Sequence, residues 1–352
     1  MLAGLLAGLA TGCGLETASR GGVEEEGGGP ASSASVAASV TLQPPPDIPE
    51  SWRPLIGEYA AGPDTVSLME DGGELKYLRW GGERSAMRLE EDTLLVVTGM
   101  DTPVVIRWAR EGAILGILSE GRVLSRLTLG GETGEGFRID PVRPVVELRV
   151  EALAAEPPLE EGEFREADLV ELTEVEPTIA LDIRYATTNN FMGDQFYSSP
   201  RAFLQRPAAE ALVRAHRWLG TLGYGLMIFD GYRPWYVTRM FWDATPPELR
   251  TFVANPTGGS RHNRGGAVDL TLYDLATGAS VDMPGGYDEF SPRSFAAYPG
   301  GTMRQRWSRA LLRLAMEAEG FAVYEAEWWH FDYKDWRFYR IGNQRFEELG
   351  MN

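Results

Sequence analysis

The first half of the chain carries short apolar runs separated by turn signals. Between residues 52 and 148, runs rich in Val, Ile, Leu and aromatic residues recur roughly every ten residues, as LKYLRW, TLLVVTG, VVIRWAR, AILGILSEG and RVLSRLTLG. Runs of this length and spacing favour an antiparallel sheet or a small barrel. We therefore predict an all-β, barrel-like domain over residues 51–148. This stretch contains no histidine, no cysteine and no cluster of carboxylates, so we interpret it as an accessory spacer or binding module.

The second half mixes helical and strand patterns. Residues 207–219 place apolar side chains at helical spacing, with Pro207 near the start. The run GLMIFD then reads as a buried strand. A second helical pattern covers residues 302–319, Gly320 ends it, and FAVY follows as the next strand. We predict an α+β domain over residues 166–352, in which helices flank a small antiparallel sheet.

Two segments lack the periodicity of a folded domain. Residues 14–50 are rich in Gly, Ser, Ala and Pro, and such a composition buries too little apolar surface to offset the entropy lost on ordering. We interpret them as a disordered tether. Residues 149–165 are rich in Pro and Glu and are interpreted as a linker between the two domains.

The chain opens with MLAGLLAGLATGC, an apolar run too short to span a bilayer but typical of a signal peptide. The segment ATGC resembles a lipobox, the bacterial lipoprotein signal in which the cysteine is lipidated. It departs from that pattern at Ala10, where leucine is usual, and no Lys or Arg precedes the run. We expect residues 1–13 to direct the protein to the bacterial cell envelope. There it would be anchored by a lipid at Cys13 on the periplasmic side or, alternatively, be periplasmic or secreted after removal of an ordinary signal.

Composition and charge exclude some partners. The sequence has 33 basic and 51 acidic residues, a formal net charge of −18. Proteins that bind nucleic acid or anionic lipid headgroups carry a basic face, so both kinds of partner are disfavoured. Cys13 is the single cysteine, so the chain cannot form an internal disulfide.

Two of the three histidines lie in motifs that also carry carboxylates. The stretch SRHNRGGAVD offers His262 and Asp269, with two glycines that let the chain turn between them. EWWH adds His330. Two imidazoles and one carboxylate form the ligand set of a catalytic zinc, with a fourth position left for water. We predict one Zn²⁺ per chain at these three residues, whereas His216 lies on the predicted helix and is interpreted as a surface or core-edge residue.

Two further residues suit the chemistry of a hydrolase. Glu327 is a candidate general base, but three residues before His330 it would face the opposite side of a straight strand. The chain must therefore bend or turn at the two intervening tryptophans. Arg233, in GYRP after the strand GLMIFD, carries a permanent delocalised charge suited to stabilising an oxyanion.

These motifs resemble those of the zinc D-Ala-D-Ala peptidases, S-x-H-x-x-G-x-x-x-D and E-x-W-H. Within that group the chain is most similar to the D-alanyl-D-alanine dipeptidases, since LDIRYATTNNF, DGYRP, AVDLTLYDLATG and EWWHFDY resemble that family in the same order. The likeness covers about residues 170–340. It implies a small α+β domain with an antiparallel sheet at the zinc site, shared with the Hedgehog signalling domain.

The resemblance also implies the residue roles. His262, Asp269 and His330 would bind zinc, Glu327 would act as general base and later protonate the leaving amine, and Arg233 would stabilise the tetrahedral intermediate. Three substrate contacts are also expected. Asp288, nineteen residues after Asp269, matches where the family places its ammonium-binding aspartate, Ser260 would hydrogen-bond the substrate, and Tyr185 would line the pocket. These features predict a dipeptidase that cleaves D-Ala-D-Ala.

Two other functions stay open from the sequence. The first is a D,D-carboxypeptidase or endopeptidase acting on peptidoglycan stem peptides. The position of Asp288 disfavours it, since a carboxypeptidase cannot demand a free ammonium. The second is a non-catalytic zinc-containing protein that binds the cell wall. Glu327 and Arg233 disfavour it, because a binding site requires neither.

Overall fold

A computed structural model describes residues 41–79, 82–128 and 136–349. The predicted lipid anchor at Cys13 and most of the predicted tether, residues 14–40, lie outside this part of the chain. Within the described residues, no helix combines the length and the apolar character needed to cross a bilayer.

The chain forms two compact units. The first ends at Thr128 and also includes Gly300–Arg304, and the second contains the remaining described residues from 136 onward. The sequence pattern predicts that the first domain ends at residue 148. The second unit therefore begins earlier in the chain than the sequence pattern indicated.

The first unit contains a closed barrel of eight antiparallel strands. These are β1 Gly57–Ala61, β2 Asp64–Asp71, β3 Glu74–Arg79, β4 Arg84–Glu90, β5 Leu94–Val97, β6 Val104–Trp108, β7 Ile114–Ser119 and β8 Arg122–Arg126. Each strand pairs with the next, and β8 returns to pair with β1, where Tyr59 lies opposite Arg126. The predicted small barrel is confirmed.

Turn chemistry and side-chain alternation explain the barrel. Gly72 and Gly73 both have positive φ and close the two-residue hairpin between β2 and β3, as a type I′ turn requires. Alternate side chains point inward, so residues such as Leu68, Leu95 and Ile117 are fully buried in an apolar core. Those apolar side chains fill the interior between the strands.

After the barrel, helices alternate with strands. The described elements are α1 Val145–Leu153, β9 Leu169–Glu171, α2 Leu172–Val175, β10 Ala180–Leu181, β11 Phe203–Gln205, α3 Arg206–Gly220, β12 Tyr224–Asp230, α4 Trp235–Ala244, β13 Ala267–Asp274, α5 Met303–Ala318, β14 Phe321–Tyr324 and β15 Glu327–Tyr333. Both predicted helices and both predicted strands are present. Gly320, with φ 86°, follows the end of α5.

Helix α1 corrects the predicted linker. Residues 149–153, assigned to that linker from their composition, form its second half. Leu148 and Ala152 are buried, and the helix lies against α4. The Val142 N–H also donates to the Ala244 carbonyl over 2.9 Å. The segment before the Pro- and Glu-rich stretch is thus part of the second unit.

The central sheet has the strand order β10-β12-β13-β15-β14. Its last four strands are antiparallel, but β10 runs parallel to β12. The sheet is therefore mixed, which corrects the prediction of a purely antiparallel one. The connection from β10 to β12 passes through α3, and a crossover of this kind brings the chain back in the same direction.

His216 lies inside the fold rather than at its surface. Its side chain on α3 is buried, and both ring nitrogens have partners. The Leu226 N–H donates to Nδ1 over 3.0 Å, and Nε2 lies 3.0 Å from the Thr178 hydroxyl. Burial lowers the pKa of His216, so the neutral imidazole ties α3 to β12. Of the two predicted positions, the surface one is wrong, because the side chain is buried between α3 and β12.

Candidate active site and metal centre

Strand register brings three ionisable residues side by side. In the antiparallel ladder, Asp230 at the end of β12 lies opposite Asp269 on β13, and Asp269 lies opposite His330 on β15. Directly opposed residues point to the same face of a sheet, so the three side chains converge there. All three are buried.

A short turn before β13 supplies His262. Residues His262–Arg264 form one turn of 3-10 helix, which Gly265 ends in the left-handed conformation with φ 63°. At Gly266 a Cβ atom would lie 2.4 Å from the Cβ of Trp336, so only glycine fits. The Arg233 N–H donates to the His262 carbonyl over 3.1 Å and fixes the turn against the end of β12.

An irregularity in β15 brings Glu327 to the same site. Val323 pairs with Phe331, but the next residue of β14, Tyr324, pairs with Glu327. One residue of β14 therefore spans several residues of β15, and the strand bulges at Trp328 and Trp329. This confirms the predicted bend. A Glu327 carboxylate oxygen lies 3.7 Å from His330 Nδ1.

The side chains of His262, Asp269 and His330, here called the metal triad, converge closely enough to share one ion. His330 Nδ1 lies 3.0 Å from His262 Nε2 and 3.0 Å from Asp269 Oδ1, and the third distance, from His262 Nε2 to Asp269 Oδ1, is 3.3 Å. Donor atoms bound to one tetrahedral zinc lie roughly 3.3 Å apart. Among the described residues, no other group of three His, Cys, Asp or Glu side chains could hold a metal.

Hydrogen bonds fix which nitrogen of each imidazole faces the centre. His262 Nδ1 donates to the Gly231 carbonyl over 2.7 Å, which leaves the Nε2 lone pair free to bind a metal. His330 uses the other tautomer, because Nε2 lies 2.9 Å from an Asp332 carboxylate oxygen and Nδ1 faces the triad. Such outer partners orient metal-binding histidines and increase their basicity. The residues present thus fit a zinc ion.

The electrostatics of the triad favour a positive charge. Burial lowers the pKa of His330, but hydrogen bonds to Asp269 and Asp332 outweigh it and raise that pKa to about 10. Burial acts to raise the pKa of Asp269, yet the charge and hydrogen bonds of His262 and His330 hold it well below its usual range. A carboxylate that stays ionised inside the protein attracts a cation, whether a proton on His330 or a metal ion.

Glu327 lies in a different environment from Asp269. Burial raises the pKa of the Glu327 carboxyl to about 7, against the opposing charge of His330. It is not one of the triad and lies beside the metal-facing nitrogen of His330. A carboxyl group in that position, with a pKa near neutrality, can both accept and return a proton.

Arg233 lies next to the triad and is held in place. Two of its nitrogens donate to Asp230 Oδ2, over 2.9 and 2.8 Å, and a third contact places Nη2 3.7 Å from Asp269 Oδ2. The guanidinium stacks over the rings of Tyr185 and Phe241, at 5.1 and 5.0 Å. Its position is therefore set by a buried ion pair and by two aromatic faces.

Asp288 and Tyr185 also meet in the site. The Tyr185 hydroxyl donates to Asp288 Oδ2 over 2.8 Å, and both side chains are buried. Burial, reinforced by the nearby charge of Asp269, raises the pKa of Asp288 well above its usual range. Asp288 has φ 55°, a left-handed conformation that aspartate adopts more readily than most residues. The site thus holds a second carboxyl group that a cation would stabilise in its ionised form.

One cavity of about 380 Å³ contains all eight residues predicted from the sequence. They are Tyr185, Arg233, Ser260, His262, Asp269, Asp288, Glu327 and His330. The Ser260 hydroxyl accepts a hydrogen bond from the His262 N–H over 3.3 Å, so it is fixed beside the triad. Aromatic rings, including Phe191, Phe252 and Phe290, line other parts of the wall. The cavity is sized for a small ligand.

Three residues of the site were missed by reasoning from the sequence. Asp230 accepts hydrogen bonds from the Tyr197 hydroxyl and the Gly231 N–H in addition to its pairing with Arg233. Asp332 orients His330, and the Tyr287 hydroxyl donates to Asp269 Oδ2 over 3.1 Å. Asp332 had a sequence signal, because residues two apart on a strand share a face.

Comparisons with known proteins identify a family that matches the C-terminal half of the chain. The family model Peptidase_M15, described as D-ala-D-ala dipeptidase, matches residues 165–349. A D-alanyl-D-alanine dipeptidase of Escherichia coli (strain K12) is 36% identical over 165 residues, which cover 47% of this chain and 84% of that protein. The Enterococcus faecium enzyme of the same name is 35% identical over 185 residues, with coverages of 47% and 90%. That of Streptomyces coelicolor is 34% identical over 189 residues, with coverages of 48% and 92%.

Proposed function

Since the chain belongs to the D-alanyl-D-alanine dipeptidase family, we propose that it is a zinc-dependent peptidase that hydrolyses D-Ala-D-Ala to two molecules of D-alanine. One observation carries this proposal. His262 Nε2, Asp269 Oδ1 and His330 Nδ1 converge in a small cavity, and the Glu327 carboxylate lies beside them.

The metal triad would hold the zinc ion. Zinc in such a site supplies a Lewis acid that brings the pKa of water to about 7. The protein prepares this site through Gly231 and Asp332, which orient the two imidazoles. Trp328 and Trp329 are buried in the bulged strand, and their packing would hold the site rigid and limit its contact with water.

Glu327 is the proposed proton carrier. Its carboxylate would accept a proton from the attacking water and then deliver that proton to the nitrogen of the leaving D-alanine. The geometry supports this role, because the bulge in β15 turns Glu327 toward the metal-facing nitrogen of His330. Without the bulge, Glu327 would lie on the other face of the sheet.

Arg233 is the proposed partner for the negative charge that develops on the carbonyl oxygen of the substrate. Its guanidinium lies beside the triad, and Asp230 holds it there before any substrate binds. A donor that is already in position requires no rearrangement as charge develops, which is where its stabilisation is largest.

Substrate length is the finer part of the proposal. A free dipeptide carries an ammonium group, which Asp288 and Tyr185 would bind at the aromatic side of the cavity. Extending the peptide at its N-terminus would remove that charge and bury an amide against Asp288. This supports a dipeptidase over a carboxypeptidase or an endopeptidase acting on peptidoglycan stems.

The test combines zinc analysis with a D-alanine release assay on the purified protein. We expect one zinc per chain and release of D-alanine from D-Ala-D-Ala. Glu327→Gln should keep the zinc and lower kcat by roughly 10²–10⁴-fold, because it removes the proton carrier but no ligand. Turnover at the wild-type rate by Glu327→Gln would refute the role of Glu327.

The same assay separates the alternatives. A D-Ala-D-Ala-terminated pentapeptide cleaved faster than the free dipeptide would identify a carboxypeptidase. A fully zinc-loaded protein that cleaves neither substrate would instead identify a binding protein.

A further inference from the structure

A free dipeptide carries a C-terminal carboxylate as well as an ammonium group, and no residue of the site has yet been proposed to bind that carboxylate. Asp288 would bind the ammonium, but the C-terminal carboxylate of the same molecule also enters the cavity. Leaving that anion unpaired in a partly buried site would weaken binding. Three arginines line the cavity and are the residues to consider, Arg233, Arg261 and Arg264.

Two of these arginines are already committed to protein partners. Arg233 is paired with Asp230. Arg264 donates to the Tyr339 carbonyl over 2.6 Å and to a Glu160 carboxylate over 2.6 Å. Each of these two side chains is only 10% exposed. They support the walls of the cavity.

Arg261 differs in exposure and in partners. Its side chain is 39% exposed, and its Nε lies 3.1 Å from an Asp332 carboxylate oxygen. The guanidinium packs against the rings of Tyr324 and Trp336, at 5.5 and 5.4 Å. These contacts fix the plane of the group, and its closest approach to Asp332 is through Nε, one of its five donors. Arg261 is therefore an oriented cation that can still bind an anion.

Asp288 and Arg261 approach the metal triad from different members of it. The group around Asp288 touches the metal triad through Asp269, which contacts Tyr287 and Arg233. The group around Arg261 touches the triad through His330, whose ring lies 2.9 Å from Asp332 and 5.8 Å from the Tyr324 ring centre. The two charges thus approach different members of the triad.

We propose that Arg261 binds the C-terminal carboxylate of the substrate, which makes a free carboxylate a requirement for efficient cleavage. This inference rests on the proposed function. Arg261 lies next to the triad residue His262, and the Arg264 N–H donates to the Arg261 carbonyl over 3.1 Å, so the same turn positions both. With Asp288 at the other end, the site would read both termini of a dipeptide and so measure its length.

The test compares D-Ala-D-Ala with D-Ala-D-alaninamide, which lacks the carboxylate charge, by D-alanine release from zinc-loaded protein. In the wild type, kcat/KM for the acid should exceed that for the amide by about 10–100-fold, the usual effect of a charge-assisted hydrogen bond. Arg261→Gln should reduce this preference to near unity. Arg261→Lys should retain part of it, since the charge stays but the planar fork is lost.

Asp332→Asn provides the matched control. It weakens the ion pair with Arg261 and the orientation of His330, yet it leaves the arginine in place. It should slow both substrates by the same factor, so the acid-to-amide preference survives. Zinc content and circular dichroism of each variant confirm that the compared proteins are loaded and folded.

Two results would overturn the assignment. If Arg261→Gln keeps both the wild-type rates and the wild-type preference, another group binds the carboxylate, with Ser260 the next candidate. If Arg261→Gln keeps the preference but slows both substrates equally, Arg261 only positions His330 through Asp332. A wild-type protein that cleaves neither compound would instead refute the proposed function, and the carboxylate assignment with it.

Discussion

The two sheets of this protein bury different kinds of side chain. The barrel fills its interior mainly with apolar residues such as Leu68, Leu95 and Ile117. The five-stranded sheet places Asp269 and His330 opposite each other on neighbouring strands, both almost fully buried. Burying ionisable groups destabilises a fold unless partners compensate, so clusters of them are usually kept for a function. The comparison therefore locates the chemistry in the second sheet.

The largest effect should come from removing a triad ligand. Asp269→Asn should abolish stoichiometric zinc binding and lower kcat/KM by about 10³-fold or more, because a ligand and its charge are lost together. Asp274→Asn is the matched control, five residues further along the same strand, where the carboxylate accepts hydrogen bonds from a turn. In zinc titration and in D-alanine release, Asp274→Asn should give values close to those of the wild type. Full activity of Asp269→Asn would show that this buried carboxylate of the second sheet is not needed for the chemistry.

An intermediate effect is expected at the ammonium end of the cavity. Asp288→Asn keeps the shape of the side chain and a residue type that tolerates φ 55°, but removes the charge. KM for free D-Ala-D-Ala should rise by about 10–100-fold, while KM for an N-acetylated analogue should change little. Steady-state kinetics on the two substrates measure this. Equal changes in both KM values would show that Asp288 does not bind the ammonium group.

The smallest effect on catalysis is expected in the barrel. Ile117→Ala leaves a cavity in the barrel core and should lower local stability by about 2–5 kcal/mol, as measured by hydrogen exchange of the barrel amides. It should leave kcat/KM for D-Ala-D-Ala unchanged, since the described residues that line the cavity of the active site all belong to the second unit. A parallel loss of turnover and barrel stability would show that the two sheets are not functionally separate.

The comparison also explains what the sequence could predict of the fold. Short apolar runs and turn glycines identify barrel strands because alternation and hairpin turns are local properties. Closure is not local, since the pairing of Tyr59 with Arg126 joins the two ends of the barrel. Helix α1 was missed for a similar reason. Its buried residues, Leu148 and Ala152, stabilise the helix only by packing against α4, which is distant in the sequence.

The residues of the site also fall into those with a local sequence signal and those without one. The two histidines and Asp269 stand in short motifs, so the sequence could propose them together with Glu327. The partners that orient them could not be found that way. The Gly231 carbonyl has no side-chain signal, and Asp230 reaches the site only because β12 lies in register with β13. Arg261 likewise could not be identified from the sequence, because it differs from the other cavity arginines in the exposure of its side chain.

The metal site can be tested most directly by an anomalous diffraction map from crystals of the zinc-loaded protein, recorded at the zinc absorption edge. We predict one strong peak within about 2.0–2.2 Å of His262 Nε2, His330 Nδ1 and an oxygen of Asp269. A peak elsewhere, or an ion bound without either imidazole, would contradict the proposal that these three side chains form the catalytic metal site.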